Sequence, residues 1–361
     1  MLGTRPEIIR LSETIKKLDI FFEHRVIHSG QNSQLNLKDF FFSDLNLRQP
    51  DNSQLMQGTF AEQLGANFKF LENEMKNFNP DALVILGDTN TALAALLAKR
   101  MGVVTYHIEA GNRSFDVNVP EETNRKVIDH FADFNLTYSK NAYDNLMREG
   151  LHPRFVNICG SPLPEVINAN MGKIKKSNIL STLDLVSNQF ILASLHRQEN
   201  VDSIERLKSA ISALEKSSEY FGKRILLSLH PRTKSKIQEY GILLSSQFIV
   251  IEPLGFIDYM KLQIEAFCTV SDSGSISEES SHLGFPAVTI RDAIERPEAL
   301  ETGSIILAGL EPSNLIQSIS LVKNQLAAGP PDSYKVTNHS QIVVNYIQST
   351  LPHANFWLGR R

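Results

Sequence analysis

Short apolar runs of strand length recur along the chain, and most are followed by residues whose apolar positions return with a helical period. Ala82 to Leu86 reads Ala-Leu-Val-Ile-Leu with no polar position, the pattern of a strand covered on both faces. A helix is expected from Thr89, ended by Gly102, and a strand from Val103 to Ile108. A helix from Glu121 to Phe131 and strands from Phe134 to Tyr138 and from Phe155 to Ile158 complete a first series. Such βαβ alternation predicts a parallel sheet covered by helices.

The rhythm breaks between Ile167 and Asn178, where Met-Gly-Lys-Ile-Lys-Lys-Ser reads as an exposed linker. It then restarts. Strands are expected at Phe190 to Leu195, Ile225 to Leu229, Phe248 to Ile251, Thr269 to Ser271 and Ala287 to Ile290. Helices are expected at Ser203 to Glu219, Asp258 to Ala266 and Ser277 to Leu283. Two consecutive α/β domains follow, 1–167 and 168–340. The helix-like segment from Gln341 to Leu351 is expected to carry 341–361 back onto the first domain.

Composition narrows the function. With 361 residues, 42% apolar and 21% charged, the chain can bury two ordinary cores. A net charge of −4 gives no basic excess for a nucleic-acid partner. Cys159 and Cys268 are too few and too far apart for a disulfide framework or a cysteine metal cluster, which suits a reducing cytoplasm. No apolar run reaches membrane-spanning length, and the start lacks the features of a signal peptide.

Open parallel sheets bind ligands beyond the C-terminal ends of their strands. The residues that end the apolar runs are polar and reactive: Asp88, Glu109, His196, His230 and the Asp272-Ser273-Gly274 turn. Ser271 to Glu279 follows a strand and opens a helix, so its small residues let backbone N–H groups approach a diphosphate, and Glu278 or Glu279 suits a ribose. The same serine–glutamate spacing also suits a capping box. Gly3-Thr4-Arg5-Pro6-Glu7 leads into a helix in the same way, with Arg5 and Arg10 adding charge; a capped surface helix is the alternative. Arg291 to Glu298, including Arg296 and Glu298, is a charged loop after a strand. Asp88, Glu109 and Glu121 are the acid/base candidates, since clustered carboxylates raise one another's pKa. A helix cap at Asp88 and a favourable N-terminal charge at Glu121 are the structural alternatives. His107-Ile108-Glu109 matches the HxE element of zinc deaminases, but the cysteine pair that reading needs is absent. His196 and His230 each end a strand beside an arginine, Arg197 and Arg232, which favours a phosphate-facing role.

Together these segments resemble the non-hydrolysing UDP-N-acetylglucosamine 2-epimerase family. The match is carried by Gly3 to Glu7, Gly87-Asp88-Thr89, His107 to Gly111, Pro120 to Arg125, His196 to Asn200, His230-Pro231-Arg232 and Asp272 to Glu298, in order along nearly the whole chain. The resemblance implies two Rossmann-like doubly wound domains of glycosyltransferase-B type with an interdomain cleft, a homodimer, a UDP-sugar substrate, and no metal or other cofactor. It implies catalytic roles for Asp88, Glu109, Glu121 and His196. It also implies substrate or UDP contacts at Arg5, Arg10, Arg113, His230, Ser273, Gly274, Ser275, Glu279, Arg296 and Glu298. Glu109 to Asp116 and Pro253 to Tyr259 look like the subgroup making UDP-N-acetyl-L-fucosamine from UDP-2-acetamido-2,6-dideoxy-β-L-talose, for capsule or O-antigen. Two departures stand out. Ser275 replaces a second glycine of the family turn, and the chain begins at Met1-Leu2, inside the expected first strand. That start is expected to expose the neighbouring strands and leave the first loop loosely anchored.

Overall fold

The computed structural model describes residues 1–31, 35–116, 119–325 and 329–360, with nothing said of the side chains of 35–39. The chain divides into two compact units, Met1–Ala169 with Lys335–Arg361, and Asn170–Tyr334. No helix among the described residues is long and apolar enough to cross a membrane.

The first unit holds β1 (Ile27–His28), β2 (Asn52–Ser53), β3 (Ala82–Leu86), β4 (Val104–Ala110), β5 (Phe134–Thr137) and β6 (Val156–Ile158). The last four form a parallel sheet in the order β3-β4-β5-β6, and β1 and β2 form a parallel pair. Every residue of β4 is buried, its polar Thr105, His107 and Glu109 included, as a central strand of a parallel sheet is covered on both faces. Leu2 completes the first strand in miniature. It bridges to His28, donates to Ile27 O at 3.0 Å and accepts from Ser29 N at 2.8 Å, while the Met1 amine donates to Val84 O on β3. Leu2 is 1% exposed, so the first loop is not left loose. The C-terminal helix His339–Thr350 packs in this unit through Val343 and Ile347, with Tyr106 Oη 2.7 Å from Thr350 Oγ1. Each such fully buried aliphatic side chain contributes roughly 1.5–3 kcal/mol.

The second unit holds β7 (Phe190–Leu195), β8 (Arg224–Leu229), β9 (Phe248–Ile251), β10 (Cys268–Ser271), β11 (Ala287–Thr289) and β12 (Ile306–Leu307). Its sheet runs β12-β11-β10-β7-β8-β9, all parallel. Counted along the unit this is 6-5-4-1-2-3, the doubly wound dinucleotide-fold order, with the strand order reversing between β7 and β10. Ile191, Leu227, Val270 and Val288 pack there against the helices Ile204–Phe221 and Pro312–Asn324.

The stretch expected as a linker is helical instead: Leu163–Lys176 is one helix, within which the unit boundary falls. Leu163, Val166, Ile167 and Ile174 repeat at helical spacing and are buried, whereas Gly172, Lys175 and Lys176 lie on the open face. Gly172 weakens the helix by only about 1 kcal/mol, too little to overcome that burial.

Candidate active site

In the second unit the loops leaving β7 and β10 emerge side by side at the reversal point. Asp272, fully buried, ties them together. Its carboxylate accepts from the backbone N–H groups of His196 and Arg197 at 3.0–3.1 Å and from Asn200 Nδ2 at 3.3 Å. His196 Nδ1 lies 2.8 Å from Asp272 Oδ1, and its side chain is 40% exposed. Burial alone would raise the pKa of Asp272, but His196 and the loop donors bring it down to about 2. The carboxylate thus fixes which nitrogen of His196 faces inward and presents Nε2 outward. The Ser273-Gly274-Ser275 turn is braced by Ser271 Oγ, which accepts from Ser273 N at 3.0 Å, and by Arg296, which donates to Gly274 O at 3.1 Å and pairs with Glu278. A Cβ on Gly274 would stand 3.3 Å from Arg197 Nη2, so glycine keeps this approach open. Behind the turn, Arg291 binds Glu295 through two 2.7 Å bonds, and Arg197 lies 3.6 Å from Glu295.

Other expected ligand residues here are already engaged. Glu279 accepts from Gln263 Nε2 at 2.6 Å, and Glu298 accepts from Tyr334 Oη at 3.4 Å. His230 caps the helix Pro231–Glu239, accepting from Arg232 N, and Arg232 pairs with Asp202 at 2.5–3.0 Å. The histidine–arginine juxtaposition that suggested a phosphate is, on the arginine side, an ion pair within the protein.

In the first unit the chemistry gathers where β3 and β4 end. Gly87 takes the left-handed conformation (φ 71°), and the cap of the next helix, Asn90–Leu93, falls to Thr89, whose Oγ1 accepts from Ala92 N at 3.1 Å. Asp88 is therefore not the cap. Its carboxylate, 20% exposed, pairs with Arg125, and its carbonyl accepts from Asn124 Nδ2 at 2.9 Å. Glu109 sits at a register shift between Ile108 and Ala110 with φ 71°, a conformation that costs a non-glycine residue ~1–2 kcal/mol. Its carboxylate accepts from Tyr138 Oη at 3.1 Å and lies 3.9 Å from Arg10 Nε and 3.8 Å from Arg125 Nη1. Arg125 thus bridges Asp88 and Glu109. The expected cluster of mutually repelling carboxylates is instead a carboxylate–guanidinium–carboxylate chain, because the cation between them offsets the repulsion. Glu121 lies one turn before Arg125 on the same helix, Pro120–Phe131.

The first loop is held by Glu7. Its carboxylate accepts from Gly3 N (3.0 Å), Thr4 N (2.8 Å), Thr4 Oγ1 (2.8 Å) and, across the sheet, Thr89 Oγ1 (3.1 Å). Burial, only partly offset by those donors, raises its pKa to about 7. Gly3 must be glycine, since a Cβ would sit 2.1 Å from Ser29 Oγ and 2.2 Å from Thr91 Oγ1. Arg5 is exposed and stacks over Phe41 at 5.3 Å. Arg10 is buried over Tyr138 and directed to Glu109. Arg113, expected to contact substrate, is buried between Asp129 (2.7 Å) and Glu149 (2.6 and 2.8 Å), so its guanidinium serves the loop and not a ligand. Sequence reasoning gave no individual role to Glu7, Arg125, Asp129 or Asp272. The i, i+4 spacing of Glu121, Arg125 and Asp129 was the available signal, one polar stripe on an otherwise ordinary helix.

A family model described as UDP-N-acetylglucosamine 2-epimerase matches residues 15–348. The UDP-N-acetylglucosamine 2-epimerase of Methanococcus maripaludis is 35% identical over 360 residues, covering 96% of this chain and 97% of its own. The UDP-2,3-diacetamido-2,3-dideoxy-D-glucuronate 2-epimerase of Pseudomonas aeruginosa is 32% identical over 330 residues, 88% of this chain and 90% of its own. The crystal structure of Methanocaldococcus jannaschii UDP-GlcNAc 2-epimerase in complex with UDP-GlcNAc and UDP aligns with a TM-score of 0.91 at 33% identity, over 96% of this chain and 98% of that one. The class is thereby defined: an isomerase acting on nucleotide sugars, built on two Rossmann-like sheets of glycosyltransferase-B type. Within that class, the chain belongs to the UDP-N-acetylglucosamine 2-epimerase family.

Proposed function

We propose that the chain inverts C2 of a UDP-linked 2-acetamido sugar by eliminating UDP and adding it back. The observation that carries this reading is Arg125 bridging Asp88 and Glu109 at adjoining strand ends. C2–H is not acidic enough for direct removal. As the C1–O bond to UDP breaks, positive charge at C1 acidifies it, and loss of the proton leaves a 2-acetamidoglycal and UDP. Re-addition with a proton delivered to the opposite face of C2 inverts that centre, which calls for more than one acid/base group. Asp88, Glu109 and Glu121 supply them, with no face assigned to any one. His196, its Nδ1 held by Asp272, stabilises the departing diphosphate, and the N–H groups of Ser273 to Ser275 receive it. Arg5, Glu279, Arg296 and Glu298 are the remaining candidate substrate contacts.

For the sugar, Glu109 to Asp116 and Pro253 to Tyr259 support UDP-2-acetamido-2,6-dideoxy-β-L-talose, giving UDP-N-acetyl-L-fucosamine. The second reading is UDP-N-acetylglucosamine, favoured by the activity for which the Methanococcus relative is named. The test is incubation with each sugar nucleotide alone in D₂O. Deuterium at C2 of the recovered sugar nucleotide is the expected result, faster for the 6-deoxy sugar. Turnover only with an added acceptor would make the chain a glycosyltransferase, and UDP binding without exchange of either sugar would make it a binding protein. Asp88→Asn and Glu121→Gln are each expected to lower exchange by ~10²–10⁴-fold with UDP still bound.

A further inference from the structure

Beneath the strand ends lies a buried group to which neither the sequence reading nor the proposed reaction gives a role. Asp129, on the helix Pro120–Phe131, is wholly buried and held below the ordinary carboxylate range: burial opposes its charge, but His107 and Arg113 outweigh it. Its carboxylate is shared by three groups of the β4 segment. His107 Nδ1 lies 2.9 Å away, Gly111 N donates at 3.2–3.3 Å, and Arg113 Nη1 lies 2.7 Å away. His107 and Gly111 stand two residues before and two residues after Glu109. The bracket therefore closes on the one residue of β4 that is left-handed without being glycine. Gly111 is itself left-handed at φ 79°, and a Cβ there would meet Ala142 O at 2.2 Å.

The same histidine reaches the other carboxylate-bearing turn. His107 Nε2 is 2.8 Å from the carbonyl of Gly87, the residue before Asp88. One buried anion thus reaches the backbone around Glu109 directly and the turn carrying Asp88 through one imidazole. Arg125, one turn earlier on the same helix, binds both side chains.

We propose that Asp129 and His107 are positioning residues that hold Asp88 and Glu109 in register, with Asp129 keeping Glu109 in its left-handed conformation. The proposal rests on reading those two carboxylates as the acid/base groups. Misplacing a reacting group by ~1 Å costs ~10²-fold in rate without touching the groups that bind the rest of the substrate.

Three variants separate the links. Asp129→Asn keeps the shape and removes the charge. His107→Asn retains a donor near the Nδ1 position and loses Gly87, while His107→Gln retains one near Nε2 and loses Asp129. The readouts are kcat and KM for C2 exchange of the full chain, and the φ of Glu109 in the variants' crystal structures. The expected result is a kcat lowered ~10²-fold in Asp129→Asn and ~10-fold or more in His107→Asn, with KM within ~3-fold of wild type. His107→Gln is expected to leave the Gly87 turn in place. Folded Asp129→Asn and His107→Asn variants with kcat within twofold of wild type would overturn the proposal. So would a Glu109 φ unchanged in both Asp129→Asn and His107→Gln. If Asp129→Asn does not fold, His107→Gln, which cuts the same link, decides. If wild type shows no exchange, the epimerase reading fails, and the φ of Glu109 still decides the positioning claim.

Discussion

Replacing Asp272 by asparagine tests the switch-point architecture of the second unit. The substitution preserves shape and removes the charge that His196 Nδ1 and two backbone N–H groups share. The native pKa is about 2 against an ordinary 3.8. Each unit of pKa is worth 1.36 kcal/mol, so ionised Asp272 contributes about 2 kcal/mol near neutral pH. Because the folded pKa is depressed, that contribution is present above the unfolded value near 3.8 and is lost as pH falls through about 2. Urea unfolding of wild type and Asp272→Asn at pH 7 and at pH 3 measures it. The expected gap is about 2 kcal/mol at pH 7 and about half that at pH 3. C2 exchange is expected to fall as well, since His196 loses the partner that fixes its ring. A gap below ~0.5 kcal/mol at pH 7, or one independent of pH, would refute the claim that an ionised Asp272 holds the loop.

Glu7→Gln should respond to pH in the opposite sense. The folded pKa of Glu7 is raised to about 7, so its contribution to stability is present below the unfolded value near 4.5 and lost as pH rises through about 7. Relative to wild type, the glutamine variant should gain about 3 kcal/mol between pH 4 and pH 8, read by denaturant unfolding at both; a gain toward low pH would refute it. Ile174→Ala should destabilise by ~2–5 kcal/mol, because Ile174 is fully buried in the helix Leu163–Lys176, while Lys175→Ala should change stability by less than ~0.5 kcal/mol. Equal effects in urea unfolding would restore the linker reading of that segment.

What could be read from the sequence follows the physics of each signal. Parallel strands announce themselves as mainly apolar runs of strand length, so Ala82–Leu86, Phe190–Leu195 and Phe248–Ile251 are found with the ends expected of them. The short pieces are silent: Ile27–His28 and Asn52–Ser53 are two residues each and owe their strand character to their neighbours. The helix Leu163–Lys176 was hidden by its lysines and glycine, although four apolar residues already marked one face. Among the candidates, strand-end position singled out Asp88, Glu109 and His196, because a polar residue closing an apolar run is conspicuous. It could not identify Arg125 or Asp129, whose importance lies in what they face across the fold. Arg113 shows the reverse: a charge beside a recognised motif reads as a ligand contact until its partners, Asp129 and Glu149, come from elsewhere in the chain.

The two units solve one local problem in the same way and then diverge in charge. In each, a loop must present backbone at the strand-end face, after Leu2 in the first unit and after β7 in the second, and in each a buried carboxylate accepts two successive backbone N–H groups of that loop. Glu7 takes Gly3 and Thr4; Asp272 takes His196 and Arg197. Asp272 also faces an imidazole, which offsets the cost of burying its charge and drives its pKa to about 2. Glu7 has hydroxyl and amide donors, and the Met1 amine interacts with it electrostatically, but desolvation prevails and leaves it near 7. From about pH 4 upward the second unit's loop is therefore clamped by a fixed anion. The first unit's loop is held by a group that changes charge near neutrality, with Thr89, the neighbour of Asp88, as one of its partners. A limb near pH 7 in the exchange rate should consequently belong to Glu7 and disappear in Glu7→Gln while persisting in Asp272→Asn. If the limb survives in Glu7→Gln, the titrating group lies elsewhere and the clamp on the first loop is insensitive to its charge.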